Sequence, residues 1–133
     1  MKVDIRSAGS GVLIRCHGDA PEEGVSYAVD ELAAFENFAA DTPTLWDFSR
    51  ARGGSLLADQ MRSLGARVST LRSGADRPRV GLLMGSEADF GGARMFVGLN
   101  EARLPSDFRI FLDGEEAFSW TLGVSLSDVG AER

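Results

Sequence analysis

The chain has 133 residues, 44% hydrophobic and 26% charged, which fits one globular domain and argues against intrinsic disorder. Fourteen Lys and Arg against twenty Asp and Glu leave a net charge of −6, a field that repels phosphate backbones and so disfavours a nucleic-acid binder. One cysteine excludes an internal disulfide, and with a single histidine no Cys/His zinc site can be assembled.

Val3 and Ile5, then Val12, Leu13 and Ile14, flank Ser7-Ala8-Gly9-Ser10-Gly11, which predicts two short strands joined in a hairpin. On the second strand Val12, Ile14 and Cys16 point to one face, while Leu13, Arg15 and His17 point to the other. Asp19-Ala20-Pro21-Glu22 reads as a capping box, and Val25, Ala28, Leu32, Phe35 and Ala39 then recur at helical steps, predicting a helix to about Ala40. Thr44 to Phe48 predicts a compact apolar strand, with Gly53-Gly54 breaking the chain after it. Leu57, Met61, Leu64, Val68 and Leu71 form the apolar stripe of an amphipathic helix, and Arg62, Arg67 and Arg72 share its opposite side. Val80 to Met84 is apolar except at Gly81, the signature of a parallel strand covered on both faces. Ser86 with Asp89 caps a helix through Leu99, Phe108 to Leu112 is the next strand, and Asp113 with Glu116 caps a short helix that Gly123 stops.

This alternation predicts a single α/β domain over residues 1–123, with a mostly parallel sheet of four or five strands, an N-terminal hairpin and about four helices. Residues 124–133 form a C-terminal tail in which Val124-Ser125-Leu126-Ser127 alternates at period two. Such a strand either packs on its own domain or pairs with the sheet edge of a second copy, and a homodimer is the expectation.

Candidate chemistry is sparse. Cys16 and His17 are adjacent on a strand and face opposite ways, so they form no thiol–imidazole dyad. A Gly-x-Ser-x-Gly elbow is missing, and no catalytic residue, metal-ligand set or cofactor is assigned. Asp47, between Trp46 and Phe48 near the carboxyl end of a strand, is either a carboxylate facing a ligand cleft, or half of a structural ion pair with Arg94, or a cap on the following loop. The segment Ser49-Arg50-Ala51-Arg52-Gly53-Gly54-Ser55 is either an anion cradle leading into a helix N terminus or a solvated loop. Glu87 and Asp89 could hold a divalent cation, but at a helix start they more simply oppose the macrodipole. The candidate ligand-binding set is therefore Asp47, Ser49, Arg50, Arg52, Ser55 and Arg94.

Three motifs add a resemblance: Leu45-Trp46-Asp47-Phe48 on a strand, Phe90-Gly91 leading to Arg94-Met95-Phe96, and Arg109-Ile110-Phe111 followed by Glu115-Glu116-Ala117-Phe118-Ser119-Trp120. In order and spacing, over roughly residues 40–120, the chain resembles the SpoIIAA-like, or STAS-like, proteins, and in particular the small bacterial members of unknown function. The resemblance implies that fold. The anti-sigma-factor antagonists of this group carry a phosphorylatable serine at a position that is Gly53 here, and their Asp-Ser-Ser-Gly cluster is missing. Ser55, two residues on, is placed to cap the following helix instead.

Together these readings predict a non-enzymatic binding or regulatory module of the bacterial cytoplasm, without the usual phosphoserine. Its partner would be a protein or a second copy of itself. Nucleic-acid binding, cofactors and membrane insertion are not expected, since no apolar run approaches the ~20 residues of a membrane helix and no signal peptide opens the chain. The alternative is a binder of small anionic or amphiphilic ligands using residues 47–55. That alternative requires a concave pocket beside the segment, whereas an interaction module requires an exposed apolar patch.

Overall fold

The computed structural model describes residues 2–20, 22–53 and 58–130. Strands β1 (Lys2–Ala8) and β2 (Gly11–Ala20) pair antiparallel across a turn in which Gly9 takes φ 54°. A Cβ on Gly9 would also overlap the Leu122 carbonyl, so both the turn and the packing select glycine there. Helix α1 (Glu22–Ala34), β3 (Thr44–Gly53), α2 (Ala58–Leu71), β4 (Arg79–Met84), α3 (Glu87–Asn100) and β5 (Asp107–Phe111) follow as βα units. The sheet order is β1-β2-β3-β4-β5, with β2 to β5 parallel. Because every new strand is added on the same side of the last, right-handed crossovers place α1, α2 and α3 on one face of the sheet. Among the described residues α4 (Gly114–Leu122) and the short α5 (Leu126–Gly130) cover the other face. No described helix is long and apolar enough to cross a membrane.

Strand alternation divides the core accordingly. Val12, Ile14, Cys16, Trp46, Val80 and Leu82 pack under α1–α3. Leu13, Leu45, Leu83 and Phe111 pack against Phe118 and Leu122 of α4. Ser86 caps α3 by accepting from the Asp89 N–H, Asp113 caps α4 by accepting from the N–H groups of Glu115 and Glu116, and Gly123 closes α4 in a left-handed conformation. Met61 and Leu64 are buried, as the α2 stripe requires.

Gly81 is the one position of β4 without a side chain because α4 settles onto the sheet there: a Cβ would overlap Thr121 Oγ1 and lie 3.0 Å from Leu45 Cδ1. Gly81→Ala is expected to lower stability by about 1–3 kcal/mol through overpacking. In urea unfolding, Thr121→Ala should restore part of that loss. A loss below about 0.5 kcal/mol, the range of an inconsequential surface change, would mean that α4 does not rest on Gly81.

Several expectations are corrected. Helix α1 ends at Ala34, not near Ala40, because the N–H groups of Phe35 and Phe38 bond only three residues back and turn the chain. Asp19 lies inside β2, with its carboxylate on Arg52. Arg72 is buried instead of sharing a solvent side with Arg62 and Arg67. Residues 49–53 are no loop; they continue β3, hydrogen-bonded to the long second half of β2. Among the described residues the tail forms no strand: Val124 and Leu126 pack on the α4 cluster, and α5 begins where the Leu126 N–H reaches Glu115 Oε1 at 3.1 Å. Residues 124–127 therefore do not pair as a strand with the sheet edge of a second copy.

Candidate functional site

Two cavities flank the carboxyl half of β3, one on each face of the sheet. On the α4 face, Arg15 and Asp47 are register partners on neighbouring parallel strands and so project together. Arg15 Nε lies 3.4 Å from Asp47 Oδ2. The other carboxylate oxygen, Oδ1, accepts from Ser49 N at 2.9 Å and from Ser49 Oγ at 2.6 Å. The Arg15 guanidinium carbon stands 5.7 Å from the centroid of the Phe118 ring. Just beyond, the register slips: Arg15 pairs with Asp47 but His17 pairs with Arg50, so three steps of β3 match two of β2. A bulge of this kind re-aims side chains, and here Ser49 and Arg50 both line one cavity of about 440 Å³. His17, Leu83, Leu112 and Ser127 contribute to the same wall.

The candidate set is thus only partly brought together. Asp47, Ser49 and Arg50 meet in this cavity. Arg52 instead forms an exposed pair with Asp19, a kind of contact worth at most about 1 kcal/mol. Arg94 is exposed on α3, across the sheet, so the expected Asp47–Arg94 pair is replaced by Asp47–Arg15. The reason is parity: Asp47 faces opposite to Trp46 and Phe48, and those two face α1–α3. Ser55 lies outside the described residues.

Cys16 faces the other core and is 1% exposed. Burial, and next the nearby Asp47 carboxylate, push its thiol up to about 12. The native thiol should therefore react with a disulfide reagent about a thousandfold more slowly at pH 8 than after unfolding, since the thiolate is the nucleophile. The same shift means that the unfolded chain ionises first. Stability is full below the ordinary value of 9.0 and declines as pH rises from there towards about 12. Labelling at equal rates in both states would contradict the burial.

The second cavity, about 540 Å³, lies between the α1–α3 face of the sheet and helices α2 and α3. Trp46, Phe48 and Met84 form its floor, with Met61 from α2 and Met95 and Phe96 from α3. Trp46 and Phe48 stack with centroids 6.2 Å apart. A Cβ on Gly92, also on the wall, would meet nothing within 4 Å. Asp89 and Arg72 are the charged groups among its described lining residues, and the Arg72 guanidinium donates to the carbonyls of Ala40 and Thr42. The sequence reading passed over this cavity, yet a signal was there: every methionine but Met1 lines it. Met is the side chain that best adapts to irregular apolar space. Among the described residues, no group of three or more His, Cys, Asp or Glu is placed to hold a metal ion.

No protein-family model and no curated protein matches the chain. Among solved structures it is similar to an uncharacterised protein of the DUF3478 family with a SpoIIAA-like fold from Shewanella loihica PV-4. The two share 18% identity at a TM-score of 0.59, over 90% of this chain and 92% of the other. At that identity the likeness concerns architecture, and it identifies the chain as an α/β domain with a SpoIIAA-like fold.

Proposed function

We propose that the chain is a non-enzymatic binding module whose ligand is a small apolar or amphiphilic molecule held in the cavity between the sheet and α2/α3. The supporting observation is the cavity itself, whose volume of about 540 Å³ is typical of small-molecule sites. Its lining is mostly apolar, an aromatic floor of Trp46 and Phe48 with three adaptable methionines, the character of a site for an apolar body. Protein docking has less support: among the described residues the large exposed apolar side chains are Tyr27, Met95 and Leu112, on three separate segments. The proposed reading keeps the ligand class of the sequence alternative only in its amphiphilic part and moves the site from the Asp47–Ser55 segment to the cavity on the opposite face of β3.

The test uses dodecanol as probe and Trp46 fluorescence as signal, in a Trp120→Phe background. Saturable binding is expected. Gly92→Leu, which fills the cavity from a position with open space, should weaken it at least tenfold without unfolding the chain. No saturable change, or equal binding by the filled variant, would overturn the proposal. Intact native mass spectrometry of freshly purified protein would identify a ligand carried from the cell.

A further inference from the structure

We propose that the α4-face cavity is a second, separate site that takes a small organic carboxylate. Arg15 is 7% exposed, forms part of the cavity wall, and has one guanidinium nitrogen, Nη1, buried without a hydrogen-bond partner among the described residues. Its Nε side is committed to Asp47, and the Asp47 carboxylate is in turn occupied by both donors of Ser49. Asp47 thus orients Arg15 and Ser49 and has little accepting capacity left for a cation. A buried guanidinium donor without an acceptor is a costly arrangement, and an anionic oxygen would relieve it.

Charge decides the kind of anion. Two guanidiniums, Arg15 and Arg50, against the one carboxylate of Asp47 leave the wall net positive. That balances a monoanion and under-compensates a doubly charged phosphate. The α4 N terminus adds little, because Asp113 already accepts from the N–H groups of Glu115 and Glu116. Leu83, Leu112 and Leu126 form an apolar wall beside the charged one, suited to a short hydrocarbon body. The site lies across the sheet from the larger cavity, so either can be occupied without the other.

Titration of the full chain with sodium hexanoate, followed by amide NMR at constant ionic strength, tests this. The expected result is saturable shifts at His17, Ser49, Arg50, Gly114 and Ser127, with hexanol and inorganic phosphate at least tenfold weaker. Arg50 is exposed, so Arg50→Gln should leave the fold intact while weakening hexanoate by roughly tenfold, the scale of one charge-assisted hydrogen bond. Arg52→Gln, off the cavity wall, should change nothing. The proposal is overturned if hexanol binds as well as hexanoate, if Arg50→Gln binds unchanged, or if the shifts fall instead at Met61, Gly92 and Met95.

Discussion

Arg72→Met is expected to remove at least about 3 kcal/mol of stability, since it breaks several charge-assisted hydrogen bonds at once. The Arg72 side chain leaves the end of α2 and turns inward until the residue is 2% exposed. Nη1 donates to the Ala40 carbonyl at 2.9 Å and to the Thr42 carbonyl at 2.5 Å, and Nη2 donates to Thr44 Oγ1 at 2.7 Å. The guanidinium also lies 5.0 Å from the Phe38 ring centroid. Burial lowers its pKa to about 10, partly offset by Asp41, so it stays charged at neutral pH. One side chain therefore satisfies the irregular segment between α1 and β3, which has no strand or helix to pair its own carbonyls. Methionine keeps the packing stem but leaves three acceptors unserved. Lysine, a single point charge, should recover only part of the loss. Urea unfolding should show a lower midpoint at unchanged slope. Arg62→Met, on the exposed side of α2, should stay within about 0.5 kcal/mol of wild type. If the two variants behave alike, Arg72 is not the pin of that segment.

The element order was legible in the sequence because each element announces itself locally: Ser86 and Asp113 as caps, Gly123 as a stop, the Met61–Leu64–Val68 stripe of α2. What the sequence hid is tertiary. Arg72 was grouped with Arg62 by residue type, yet a helical wheel sets it about 20° from Met61, at the edge of the apolar stripe and one residue past the last residue of α2. Residues 50–53 carry two arginines and a glycine, poor strand formers that read as loop, and they are strand because β2 is long enough to pair with them. The period-two pattern of residues 124–127 is too short to separate strand from helix, and contact with α4 decides it. Asp47 pairs with Arg15 and not with Arg94 of the next helix, because strand parity directs it to the α4 face. The alternation of Leu13, Arg15 and His17 was already readable. The monotonic strand order, which sends α1–α3 to the opposite face, was not.

That parity carries the second large effect. Asp47→Leu is expected to cost about 3–5 kcal/mol, because it strands the Arg15 charge in a site where the pair's side chains are only 8% and 12% exposed. The double variant Arg15→Leu/Asp47→Leu should lie within about 1 kcal/mol of wild type, since replacing a whole buried pair by apolar groups of similar size is often neutral. The stacking on Phe118 makes this substitution favourable, for leucine at position 15 would meet an apolar ring already fully buried. Asp47→Asn should fall between, keeping an acceptor for Ser49 while losing the charge opposite Arg15. A double-mutant cycle in urea measures the coupling directly. If Asp47→Leu alone costs no more than the double variant, Arg15 does not depend on Asp47, and the cavity wall is held by the sheet and Phe118 instead.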